Sequence, residues 1–277
     1  MDNLDGAFPQ PMTDSVNSPQ IQADRVSFAP NLFRTIKPNR KDNSAYQATP
    51  LLQDVSFAVF PGDRVAIVGA SGAGKTTLLR LLNRLSEPTS GKLYLQGQAY
   101  ATIPVVQLRQ QVMLMLQESK LLGMTVQEAI AYPLQLQGMS PKAIQPRVGK
   151  WLERLHIPLE WRDRTEQQLS VGQRQLVALA RVLVCEPAIV LLDEPTSALD
   201  VGRIQHVLEI LTDLSQQRHT TIVMVNHQLD LAQQFATRVL HLQQGNLVDD
   251  EAAGAIDWAA LKHTLKTAEQ QQTADWT

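Results

Sequence analysis

Nine consecutive residues, GASGAGKTT (Gly69–Thr77), fit the spacing G-x-x-x-x-G-K-[ST]. Gly69, Gly72 and Gly74 let the backbone curl, so that successive N–H groups face one anion, and Lys75 adds a point charge for outer phosphates. Thr76 offers a hydroxyl to Mg²⁺. The whole run, including Ala70, Ser71, Ala73 and Thr77, is the expected phosphate-binding loop. A second group lies in AIVLLDEP, where Asp193 and Glu194 leave an apolar run of strand type. Adjacent carboxylates leaving a strand point to opposite faces, so one can hold a metal while the other faces an attacking water. A charged exit from a strand is the plainer reading of that pair alone, and the phosphate loop overrides it. The third stretch, LSVGQRQLVALARVL (Leu169–Leu183), spaces Leu176, Ala180 and Leu183 as one apolar helix face and places Ser170 as its cap. Gly172 stands inside the first turn, where glycine costs about 1 kcal/mol relative to alanine. A close backbone approach must offset it, and the free N–H groups of such an end attract anions.

The elements that must position these groups read as an α/β order. RVSFAP (Arg25–Pro30) and LLQDVSFAVF are strands separated by a polar loop, and RVAIVG is a short buried strand that enters the glycine loop and the helix KTTLLRLLNRL. GKLYLQG and VMLML are further strands. Helical periodicity runs from about Thr125 to Leu155 and again from Ser170 to Leu183. AIVLL and TIVMV are unbroken apolar runs of the kind buried on both faces in parallel sheets, with a helix starting near Gly202 between them. RVLHLQQGNLV gives two strands about Gly245, and AIDWAALKHTL one amphipathic helix using Ile256, Ala260 and Leu261.

The 277-residue chain, 44% hydrophobic and 19% charged with a formal net charge of −2, is long enough for a sizeable core and has no cationic balance suited to nucleic acid. Its single cysteine, Cys185, cannot form an internal disulfide, which fits a cytosolic site. The first twenty residues lack the basic and apolar segments of a signal peptide and read as a disordered leader. The longest apolar region is interrupted by Arg181, Glu186 and Pro187, too broken for a membrane span.

Taken together these motifs resemble the ATP-binding cassette (ABC) family of ATPases. GASGAGKTT matches its first phosphate motif, LSVGQ its signature, IVLLDE its second nucleotide motif, SALD the following loop, and NH, ending in His227, its switch histidine. The match runs from about Val26 to Val248. The resemblance implies a P-loop NTPase (RecA-like) core with an antiparallel β subdomain and an inserted α-helical subdomain at about 119–184. These form an ATPase domain over 21–250, followed by a helical tail over 251–277. It implies ATP and Mg²⁺ as ligands, with Asp193 holding the metal through water, Glu194 as general base, and His227 touching the γ-phosphate. Gln117 would sense Mg²⁺ and the water. Ser170, Gly172 and Gln173 would meet the γ-phosphate of ATP held by a second copy, and Ser197 and Asp200 lie in a loop that communicates between protomers. By themselves Gln117 reads as a surface glutamine and His227 as a packed histidine at a strand end; their positions in the motif order promote them. Two departures stand out. Val171 occupies a signature position that is usually glycine, and Pro30 stands where the family places an aromatic residue against adenine. Tyr46 is preferred to Phe33 as the stacking ring, from an insertion rich in Arg34, Lys37, Arg40 and Lys41.

One cassette without a span implies a homodimer closing over two Mg-ATP and driving separate integral-membrane permease subunits from the cytoplasmic face of the inner membrane. A non-transport ATPase of DNA repair, chromosome organisation or translation would carry a long coiled coil between motifs, or two cassettes. The 95 residues from Lys75 to Ser170 (170 − 75) leave room only for a helical insert. A regulator that hydrolyses little is opposed by the intact Lys75 and Glu194. The short insert and compact C-terminus resemble cassettes that serve phosphate uptake or metal efflux.

Overall fold

The computed structural model describes residues 18–30, 50–118 and 120–274. The leader up to residue 17 and the basic insertion with Phe33 and Tyr46 lie outside the described residues.

Two sheets organise the chain. β1 (Ile21–Phe28) and β2 (Leu52–Val59) alternate inward Ile21, Ala23, Leu52, Val55, Phe57 and Val59 with exposed or half-buried neighbours, as strands with one wet face do. After β3 (Arg64–Val68) and helix α1 (Lys75–Leu82), β4 (Ser90–Leu95) and the two-residue β5 (Gln98–Ala99) complete an antiparallel sheet in the order β2-β1-β4-β5. β1 begins at Ile21, four residues before the strand read from sequence. The added residues are held by pairing on both sides, with Val59 and Leu95 opposite Ile21. α1 stops at Leu82, three residues early, because Arg84 turns left-handed at φ 57° and its guanidinium donates to the carbonyls of Tyr100 and Ile103.

α2 (Val105–Gln111) leads into β6 (Val112–Met115). Three insert helices follow: α3 (Val126–Leu136), α4 (Pro141–Arg154) and α5 (Val171–Leu183). β7 (Ile189–Asp193), α6 (Val201–Arg218), β8 (Thr221–Val225), α7 (Leu229–Phe235), β9 (Arg238–Gln243), β10 (Asn246–Ala252) and α8 (Trp258–Ala274) finish the chain. The second sheet runs β10-β9-β3-β8-β7-β6; every pairing in it is parallel except that of the edge strand β10. Every residue of β7 and β8 is buried, as expected for runs covered on both faces.

The two faces of that sheet feed different cores. Val65, Ile67, Leu191 and Val223 pack with α1 and the antiparallel sheet. Val190, Leu192, Ile222 and Met224 join Ile130, Trp151, Leu176 and Leu211 in one continuous apolar cluster that includes the insert helices and α6. Capping chemistry fixes the helix starts: Thr125 and Glu128 form a reciprocal capping box on α3, Pro141 opens α4, and Asp200 accepts the Arg203 N–H at the head of α6. α8 lies on Ala66, Val68 and Val239 through Trp258, Leu261 and Leu265, with the Trp258 indole donating to the Ala253 carbonyl at 3.1 Å. Ile256 joins that contact from the preceding turn, but Ala260 is exposed, so Leu265 takes the place expected of it. Trp258 therefore packs on its own chain. No helix among the described residues is long and apolar enough to cross a membrane. Cys185 is half-buried, and burial pushes its thiol up to about 11, far from the reactive range.

Candidate nucleotide site

Parallel order brings four loops to one edge. The strands β3, β8, β7 and β6 are neighbours, with Ile67 opposite Val225, Val225 opposite Asp193, and Leu192 opposite Met115. Their C-terminal ends therefore deliver, in spatial order, the glycine loop, His227, the Asp193–Glu194 pair and Gln117. Ligands bind at this edge of open α/β sheets.

The glycine loop cannot be built from other residues. At Gly69 (φ 151°) a Cβ would sit 2.2 Å from the Leu242 carbonyl oxygen, and at Gly74 (φ 100°) 2.7 Å from that of Leu51. Lys75 is only 6% exposed and its ammonium donates to the Gly69 and Ala70 carbonyls at 2.7 and 2.8 Å. The amine thus curls back over the loop and gives it a positive centre. Ser71, Gly72, Gly74, Lys75, Thr76 and Thr77 face Gln117, Glu194 and His227 across a cavity of about 400 Å³, with Leu51 and Val225 on its walls. Such a volume suits a small-molecule ligand. Ala70 and Ala73 are buried in the body of the loop.

The two carboxylates separate as their strand position demands. Asp193 is 2% exposed and accepts a hydrogen bond from Thr76, yet its Oδ1 has no hydrogen-bond partner. Burial raises its pKa; the Thr76 bond opposes this, nearby Glu194 adds to it, and the Arg80 and Lys75 charges oppose it. An orphaned buried carboxylate oxygen beside a threonine hydroxyl is a donor set that fits a hard cation such as Mg²⁺. Glu194 points the other way. Gln117 Nε2 donates to its Oε2 at 3.0 Å, and His227 Nε2 lies 2.7 Å from its Oε1. The backbone of Glu194 is left-handed at φ 52°, a conformation that costs a non-glycine residue about 1–3 kcal/mol and persists only where the surroundings impose it. A carboxylate clamped on both oxygens at the mouth of a phosphate loop can accept a proton from water.

Ser170, Gly172 and Gln173 do not line this cavity. They form the start of α5, where Ser170 Oγ accepts the Gln173 N–H at 3.2 Å and Gln173 Oε1 accepts the Ser170 N–H at 2.8 Å. Val171, Arg174 and Gln175 of α5 line a separate hollow of about 270 Å³ together with Ser197, Gln117 and Glu118, and Ser170, Gly172 and Gln173 do not line that one either. Gly172 is required by its own chain, since a Cβ there would meet the Ala198 carbonyl oxygen at 2.4 Å. This intrachain contact accounts for the glycine without any ligand. Gly172→Ala is therefore expected to cost about 1–3 kcal/mol by overpacking, read as a lowered denaturant midpoint for the chain without nucleotide. An unchanged midpoint would return the glycine to a purely ligand-facing role. Val171, by contrast, is 60% exposed, and the departure from glycine there disturbs no packing within the chain.

Sequence reasoning missed Leu51, Val225 and Gln175. The first two are apolar strand-end residues with no chemical signature. Gln175 is 3% exposed and bonded to the loop after β7, and the available signal was a glutamine on the buried side of α5.

A family model described as ABC transporter matches residues 52–197, more than half of the chain. The chain belongs to the ABC transporter family. The chain is 35% identical over 223 residues to the methionine import ATP-binding protein MetN of Caulobacter vibrioides, covering 79% of this chain and 66% of that protein. It is 34% identical over 245 residues to MetN of Corynebacterium glutamicum, covering 87% and 66%. The chain thus spans just under two thirds of the length of these relatives. Both relatives are named for methionine import, a cargo different from the phosphate or metal expected above. Among solved structures, a dimeric bacterial ABC transporter cassette superposes with a TM-score of 0.74 at 26% identity, covering 84% of this chain and 98% of that one. A dimeric post-hydrolysis state bound to ADP and Pi gives 0.72 at 25% identity, over the same shares. cbiO1 of Clostridium perfringens, at 22% identity and a TM-score of 0.70 over 94% of this chain and 95% of that one, supports the fold alone. The chain has the α/β P-loop NTPase fold.

Proposed function

We propose that this cassette hydrolyses ATP as one of a pair of identical subunits and thereby powers import of methionine through separate membrane subunits. The observation that carries the enzymatic part is the Glu194 carboxylate held between Gln117 and His227 over the phosphate loop. Lys75 and the loop N–H groups bind the phosphate tail. Glu194 takes the proton of a water whose oxygen attacks the γ-phosphorus, while the bond to the bridging β–γ oxygen breaks and ADP leaves. Positioning and charge stabilisation supply most of the acceleration in such chemistry. Mg²⁺, held by Thr76 and Asp193 with Gln117 nearby, would neutralise charge on the phosphates. His227 touches the γ-phosphate, and Ser170, Gly172 and Gln173 close on the ATP of the second copy. Adenine stacking is assigned to Tyr46.

The paired arrangement is supported by the dimeric cassettes to which the chain is similar, and the cargo by the names of its relatives. Transport requires integral-membrane permease partners and places the cassette at the cytoplasmic face of the inner membrane. The deciding experiment isolates tagged Glu194→Gln chain from detergent-solubilised membranes with Mg²⁺ and ATP, and identifies its partners by mass spectrometry. A stoichiometric multi-spanning protein is expected, and the complex reconstituted in vesicles should accumulate labelled methionine. Recovery of the dimer with a soluble partner, or with none, would overturn the transport reading.

A further inference from the structure

The buried side of α5 reaches the reacting group from behind. Gln175 lies one turn beyond Gly172, and its side-chain amide spans the turn that follows β7. Nε2 donates to the Glu194 carbonyl oxygen at 2.7 Å and lies 3.2 Å from Ser197 Oγ, while Oε1 accepts the Ala198 N–H at 3.0 Å. Ser197 Oγ donates to the same Glu194 carbonyl at 3.2 Å. From the other side, the Glu194 N–H donates to the Val225 carbonyl at 3.1 Å. The strained backbone of Glu194 is thus gripped at its N–H by β8 and at its carbonyl by α5.

We propose that Gln175 is a positioning residue for ATP hydrolysis: its buried amide locks the Glu194–Ala198 turn to α5 and so fixes the backbone that aims the Glu194 carboxylate. An apolar side chain of equal length would fill the same space, but only an amide offers a donor to one carbonyl and an acceptor to an N–H four residues further on. Gly172 reinforces the join by letting the helix backbone close on the Ala198 carbonyl. The helix that begins at Ser170 and the turn that carries Glu194 therefore move as one body. The inference rests on the reading of Glu194 as the base.

Gln175→Met keeps length and volume and removes every hydrogen bond. In the full-length chain its kcat is expected to fall by about 10- to 100-fold, as displacement of a positioned group does, with KM for ATP little changed and a lowered thermal midpoint, because the partly buried Ala198 N–H loses its acceptor; the assay is run well below that midpoint. Gln175→Glu, which keeps the acceptor and loses the donor to Glu194, is the second variant should the first fail to fold, and the same loss of kcat is expected. The decisive readout is the pair made in the Glu194→Gln background. A residue that acts only through Glu194 leaves the residual rate there unchanged within about twofold, because groups acting as a unit are not additive. A kcat within twofold of the unsubstituted chain, or an equal fold-loss in the Glu194→Gln background, would overturn the proposal. Should Glu194→Gln itself hydrolyse ATP at the normal rate, the functional reading fails; should it be inactive while folded Gln175→Met is fully active, only this inference fails.

Discussion

Glu194→Gln is expected to lower steady-state ATP hydrolysis by about 10²- to 10⁴-fold, the usual range for loss of a general base, while the substituted chain still binds ATP. The change is nearly isosteric, so the cavity keeps its shape, and the amide oxygen can still accept from Gln117 or His227. An amide at neutral pH cannot take the proton of the attacking water. Removing one negative charge from a cavity built for phosphates also lessens repulsion, so ATP stays bound and the paired, nucleotide-loaded form accumulates. A sizing column run with Mg²⁺ and ATP reads the second effect and a phosphate-release assay the first. Hydrolysis at the rate of the unsubstituted chain would remove Glu194 from the chemistry and leave its contacts with Gln117 and His227 structural.

Lys75→Ala is expected to weaken ATP binding by about 100-fold or more, the scale of a charge-assisted contact to phosphate lost in a water-poor site, and to abolish measurable turnover. The ammonium is almost fully buried, and its bonds to the Gly69 and Ala70 carbonyls hold the loop curled. Alanine removes the cation and leaves both carbonyls without that donor. Asp193 also loses a nearby positive charge that favours its ionised form. Lys75→Met controls for lost volume, since it restores the stem without the charge. Fluorescent-nucleotide titration beside a thermal melt separates the two effects: a folded methionine variant that binds ATP normally would show that Lys75 serves only the fold.

Much of this architecture was legible in the residues. Alternation in β2, the unbroken apolar runs of β7 and β8, and the Ser170 cap on α5 all follow from local rules that need no partner element. Strand and helix ends were less legible, because pairing with Val59 and Leu95 lengthens β1 and the Arg84 turn shortens α1. At the site, the glycine loop and the acidic pair announced themselves by spacing. Gly172 announced only that something was close. The Ala198 carbonyl that explains it lies 26 residues further along the chain (198 − 172) and meets it only after α5 and β7 pack. Gln175 was hidden for the same reason. A buried glutamine looks in sequence like any polar helix residue until the unsatisfied groups of a distant turn are placed beside it.

The apolar cluster shared by the insert helices and one face of the parallel sheet bears on how the molecule comes apart. Trp151 and Ile130 of the insert lie in the same oily interior as Leu192 and Met224 of the sheet, with α5 between them. The insert consequently has no private interior whose loss could be confined. It and that sheet face are expected to melt as one cooperative unit, and hydrogen exchange checks this: amide protons in α5 should exchange as slowly as those of β7. An insertion in the order of the chain is, in the thermodynamics of unfolding, part of the centre.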